Sequence, residues 1–120
     1  MVLTREQILG QVDAPLKTER VQVPEWGGEV IIREWTGTER DEFENSFVND
    51  EGKRDLDATQ NVRAKIVARS VVDEKGHLQF TPADVEQLGQ LSAKALNRVF
   101  MRARDLIGMS DKDVKDLEKN

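Results

Sequence analysis

Apolar and polar residues alternate twice within a short span of the chain. Val21 and Val23 flank Gln22, and Val30 and Ile32 alternate with Ile31 and Arg33. A period of two places each pair on one face of a strand. Between the runs, Pro24 has no N–H to continue a ladder, and Gly27-Gly28 can turn the chain through positive φ. The stretch from about Lys17 to Trp35 therefore predicts a β-hairpin. Trp26 falls in its loop and Trp35 just past its second strand, where each either covers the apolar face or forms an exposed contact.

The rest of the pattern is helical. Thr4 can cap a short helix from Arg5 to about Gln11, with Ile8 and Leu9 inward, before the break at Asp13-Ala-Pro. After the hairpin, Thr36 and Thr38 compete as N-cap, and Thr36 with Glu39 has the spacing of a capping box. Phe43 and Phe47 lie one turn apart on that helix. Asn49-Asp-Glu-Gly-Lys-Arg-Asp combines turn residues and charge and reads as a mobile loop. A helix from about Ala58 to Val72 has a broad apolar side (Val62, Ile66, Val67, Ala68, Val71), which predicts a central position. Asp73-Glu-Lys-Gly76 ends it, with Gly76 near the C-cap, and Leu78 and Phe80 mark a short extended piece.

Thr81-Pro-Ala-Asp84 is a helix start with cap, N1 proline and an early carboxylate. Val85 and Leu88 face in, and Gly89 to Leu91 allows a turn. Ser92 opens a strongly amphipathic helix with Leu96, Val99, Phe100, Ala103, Leu106 and Ile107 on its core side, ended by Gly108. Ser110 with Asp113 can cap a last helix carrying Val114 and Leu117, read here as a loosely packed terminal element over 110–120. The prediction is an α+β fold: a single, mostly helical domain over 1–120 with five or six helices and a small N-terminal β-hairpin.

Composition narrows the chemistry. A chain of 120 residues can bury a core without metal or disulfides. It has no cysteine, which removes thiolate ligands and nucleophiles. Its one histidine, His77, sits between Gly76 and Leu78 at a turn, with no partner for a triad or a metal site. Glu39, Asp41, Glu42 and Glu44 gather at a helix start, where the dipole favours them, and read as a solvated face rather than a hydrolase pair. Gly27-Gly28 lacks the wider pattern of a phosphate loop. The reading is a non-enzyme without cofactor or metal. Met1-Val-Leu-Thr-Arg-Glu has no signal-type apolar core and no segment approaches membrane-span length, so a cytoplasmic protein is expected.

Two features point to partners. Lys94, Arg98 and Arg102 form a basic stripe at helical spacing, either a solvated face or a contact for an acidic partner. Trp26 and Trp35 are aromatic contact candidates. Residues 81–108 also have the outline of a helix-turn-helix, with Ala93, Lys94 and Asn97 toward a groove. The alternative function is thus a small DNA-binding regulator. Against it, that span holds four basic and three acidic side chains, and the chain's net charge is −5, so the footprint for nucleic acid is weak.

The order of segments resembles the tail assembly chaperones of long-tailed bacteriophages with flexible tails. The resemblance rests on Val21 to Arg33 with its Pro-Glu-Trp-Gly-Gly turn, Thr36 to Phe43, Val62 to Gly76, Phe80 to Val85, and Ser92 to Gly108. It implies a mostly helical fold with a small hairpin and a non-catalytic role, holding the tape measure protein before the tail tube forms around it. It also implies the host cytoplasm as location, absence from the mature virion, and possible partners in the tail tube protein and in further copies of the chain. An exposed strand edge is one means of such association.

Members of the family that the chain resembles are often made in two lengths through a ribosomal frameshift. The ending Leu117-Glu-Lys-Asn120 permits a slippery A-AAA-AAC run, and permits equally a plain frayed tail. If slippage operates, the gene should carry AAA at Lys119 with an open overlapping frame beyond it. Reading the gene checks this, since AAG at Lys119 or a closed frame ends the idea.

Overall fold

The computed structural model describes residues 1–53, 55 and 57–119. Among these the order is α1 (Arg5–Leu9), β1 (Thr18–Val23), β2 (Gly28–Arg33), α2 (Gly37–Asn45), α3 (Val62–Ser70), β3 (Val71–Val72), α4 (Val85–Gly89), α5 (Ala93–Ile107) and α6 (Asp111–Glu118). The fold is α+β and mostly helical, with the small sheet drawn largely from the N-terminal third. Arg54 of the predicted loop and the terminal Asn120 lie outside the described residues.

The predicted hairpin forms, with Val21 opposite Val30 and Val23 opposite Gly28. Pro24–Trp26 makes a short 3-10 turn and Gly27, at φ 74°, reverses the chain. Val21, Val23 and Ile32 are buried on one face, against which α5 packs. That helix buries Ala95, Leu96, Val99, Phe100 and Ala103, in agreement with its sequence pattern. Helix α3 lies behind α5 and is buried at Val62, Ala64, Ile66, Val67, Ala68 and Ser70. Trp35, Phe43 and Phe47 complete the core as an edge-to-face series with ring centroids 5.1 Å apart at each step.

The sheet has a third strand that the sequence reading assigns to helix. The helix ends at Ser70, and Val71 and Val72 pair antiparallel with Ile32 and Ile31. Two β-branched residues suit the pleated surface, and burial by the neighbouring strand outweighs one more helical turn. Gly76 therefore does not cap a helix. At φ 87° it turns the chain so that Leu78 bridges back to Val72. The carboxylate of Asp73 accepts from the N–H groups of Lys75 and His77 at 2.8 and 3.0 Å, and these bonds hold it below the usual carboxylate range.

Four reciprocal caps come from the predicted residues. Thr36 donates its N–H to Glu39 at 2.9 Å while its hydroxyl accepts from the Glu39 N–H at 3.1 Å. Ser110 and Asp113 repeat the box at 3.0 and 3.1 Å, as do Thr4 and Gln7 at 3.0 and 3.2 Å. The Thr81 N–H donates to Asp84 at 2.8 Å, ahead of a 3-10 turn that leads into α4. Gly89 serves close packing: a Cβ there would stand 2.6 Å from the Asn61 amide oxygen at the start of α3.

The N-terminal end departs from expectation. Ile8 and Leu9 of α1 do not face inward, and each is more than half exposed. Helical periodicity identifies an apolar face but not what covers it. At the other end, Met109 before α6 and Val114 within it are buried, and Arg104 pairs with Asp111 at the start of α6.

Phe100 is 2 % exposed, and the Arg63 guanidinium lies 5.0 Å over its ring. Phe100→Ala should cost about 3–5 kcal/mol, a large part of a typical domain's stability. Denaturant unfolding checks this, and an unchanged midpoint would contradict the burial of this face.

Candidate functional site

The aromatic contact candidates separate. Trp35 is buried: its indole N–H donates to the Ser70 hydroxyl at 3.1 Å, and that hydroxyl donates to the Ile66 carbonyl at 2.7 Å. It is a core residue, not an exposed contact. Trp26 stands 39 % exposed at the hairpin tip. His77 is exposed at the turn before Leu78, with its Nδ1 3.9 Å from Asp73.

The basic stripe turns back onto the chain's own hairpin. The Arg98 Nε donates to both oxygens of Glu25, at 2.8 and 2.9 Å, and Arg102 pairs with Glu19. The hydrogen bond from Arg98, with smaller help from the charge of Lys94, lowers the pKa of Glu25. The bond to Glu19 raises that of Arg102. Lys94, Arg98 and Trp26 thus gather at the hairpin tip, while Arg102 sits further along β1. Arg98 and Arg102 are engaged intramolecularly rather than offered to an outside anion.

This arrangement weighs against the helix-turn-helix reading. Its proposed recognition helix, α5, lies against the hairpin, and Asn97 accepts a 2.8 Å bond from Arg63 of α3. The helix ahead of it, α4, spans only Val85–Gly89.

An open groove lies on another side of the molecule, between α2, α3 and the segment from Leu78 into α4. Its volume is about 720 Å³. Trp35, Phe43 and Ala68 form the floor, with Leu78, Phe80 and Val85 along one wall. Arg69 lies 5.2 Å over the Phe43 ring, and Lys65 lies 5.1 Å from the Phe47 ring and bonds the Ala58 carbonyl. Burial lowers the pKa of Lys65. Glu39, Glu42, Asp57 and Glu86 add four carboxylates to these two cations. Such a groove can take up aliphatic side chains while its acidic rim pairs with flanking basic groups. The sequence reading missed it because its lining as a whole comes from residues scattered over three parts of the chain. The extended Leu78-Gln-Phe80 piece was its one local sign.

The second unassigned surface is the N-terminal arm, residues 1–13. Val2, Leu3, Ile8, Leu9 and Val12 are all half or more exposed. No residue of α1 or of the 3-10 turn Gly10–Asp13 is buried.

A small helical domain with a minimal sheet, an open apolar groove and an uncovered apolar arm is built as a protein-binding module. The chain belongs to the phage tail assembly chaperone family, whose model matches residues 4–120. Its fold is similar to that in the structure of the bacteriophage HK97 tail assembly chaperone. The TM-score is 0.55 and the identity 24 %, over 83 % of this chain and 97 % of that one, so the likeness is one of fold. No curated protein matches the sequence.

Glu39 joins the groove to the sheet. Arg33 donates two bonds to it, at 3.0 and 2.6 Å, and these hold its carboxyl below the usual range. The folded chain therefore binds a proton there less readily than the unfolded chain. The stability this gives is full above the unfolded value and is lost as pH falls through the lower folded value. Glu39→Gln should cost about 1 kcal/mol at neutral pH, allowing for partial exposure. The gap from the parent should close as the pH is lowered, and thermal melts across the acid range check it.

Proposed function

We propose that the chain acts as a non-catalytic tail assembly chaperone that binds the tape measure protein before the tail tube encloses it. The observation that carries this reading is the family match across residues 4–120. The groove supports it physically. A helical client presents apolar side chains at i, i+3 and i+4, and an apolar floor with Leu78, Phe80 and Val85 on its wall suits them. The acidic rim favours a client with lysine or arginine beside that stripe. On this reading the protein works in the host cytoplasm and is left out of the finished particle. The tail tube protein is a further partner, reached through the client.

Coexpression with a tape measure fragment tests the proposal. The tagged chain should retain the fragment, and Leu78→Glu, which places a charge on a side chain already 43 % exposed, should reduce retention at least tenfold without lowering the melting temperature. No retention, together with tight and salt-sensitive binding to duplex DNA, would overturn it in favour of the regulator.

A further inference from the structure

The small sheet covers one of its two edges and leaves the other open. At β3, the Val71 carbonyl accepts from the Gln79 N–H at 3.1 Å, and the Asp73 N–H donates to the His77 carbonyl at 2.8 Å. The chain beyond the Gly76 turn thus covers that edge. On the far side β1 is the outermost strand, and no other segment of the described residues pairs with it. The Glu34 N–H donates to the Lys17 carbonyl at 2.9 Å, which fixes the phase of the ladder. Antiparallel pairing then assigns the bonds to β2 to Glu19, Val21 and Val23, and points the N–H and C=O groups of Thr18, Arg20 and Gln22 outward. All three of these residues are exposed.

Proteins guard an open edge with charge, proline, a bulge or a very short strand. Here the strand runs for 6 residues in unbroken register, and Pro24 comes only after its end. Its charges are drawn off the edge. Arg20 donates to Glu29 of β2 at 2.8 Å and Gln22 to the same carboxylate at 2.7 Å, so both side chains lean back across the sheet. Glu19 is held by Arg102 on the other face. The edge is left with backbone groups that need partners and with little net charge.

A second copy fits this edge poorly. Antiparallel self-pairing centred on Arg20 sets arginine opposite arginine, and centring on Glu19 sets glutamate opposite glutamate. Centring on Val21 sets Pro24, which has no N–H, opposite Thr18. We propose that β1 takes up an extended, uncharged segment of another protein as a further strand of the sheet, bonded to Thr18, Arg20 and Gln22. Alternate side chains of that segment fall beside Val21 on the inner face, where β-branched residues fit, and beside Arg20 and Gln22 on the outer face, where small polar residues fit. The site shares no residue with the lining of the groove, so it stands whether or not the tape measure protein is the client.

Backbone amide NMR of the isotope-labelled full chain tests it, with an end-blocked peptide of alternating valine and threonine as the probe. The peptide should shift the amides of Thr18, Arg20 and Gln22 and slow their hydrogen exchange, with little dependence on salt, while the amides of the groove stay in place. Arg20→Pro removes one outward N–H and leaves the bonds to β2 whole. It should weaken binding by about tenfold or more, with the parent's spectrum away from the strand. A peptide N-methylated at every residue should fail to bind the parent protein, a control that leaves the fold untouched. Absence of shifts at β1, shifts centred on the groove, or binding that survives N-methylation overturns the proposal. So does a concentration-dependent shift of the same amides without peptide, which gives the edge to a second copy.

Discussion

The fold depends on one contact, the burial of the hairpin's inner face beneath α5. Two six-residue strands and a two-residue third strand do not make a sheet that stands alone in water. Val21, Val23 and Ile32 are buried because Ala95, Leu96, Val99, Phe100 and Ala103 close over them from a helix sixty or more residues later. That closure sets the rest. Once α5 occupies the inner face, α3 must pack on α5's other flank, and the aromatic series from Trp35 to Phe47 fills the space beyond α3. The groove opens where this second layer runs out of side chains to cover it.

The charges follow the same constraint. Arg98 and Arg102 sit at the margin of the buried face, opposite Glu25 and Glu19 of the strand and its turn. Exposed pairs of this kind add little stability. They are placed to favour one register, since sliding β1 by one residue would carry Glu19 to the other face. A stripe that looks like an anion-binding surface in sequence is therefore a clamp in the fold.

Much of this was legible in the residues. The hairpin, the four helix starts and the apolar side of α5 each rest on local chemistry, namely alternation, capping spacing and a sustained period. The failures share a cause. Val71-Val72 continues a helical pattern as well as it begins a strand, and only the distant Ile31-Ile32 pair decides between them. Trp35 looks the same in sequence whether exposed or bonded to Ser70. Ile8 and Leu9 have the pattern of a packed helix, yet each is left more than half exposed. The groove has no local signature because α2, α3 and the segment before α4 build it only when brought together. Capping and periodicity are properties of a few neighbouring residues, whereas cover and concavity belong to the assembled chain.

On the proposed reading, a chaperone for an apolar client faces opposing demands, and the surface of this chain answers both. Apolar surface must be available to the client, yet a monomer displaying it would aggregate. Here that surface is divided between a concave groove and a thin arm, neither of which presents a broad flat patch. The groove's floor is shielded by Arg69 over Phe43 and its rim carries carboxylates, so water and charge stand around the apolar wall. With a net charge of −5, copies repel one another at long range while short-range apolar contacts remain open to them. The core under the sheet, by contrast, has no share in this compromise: Val23, Ile32, Ile66 and Val99 are fully buried.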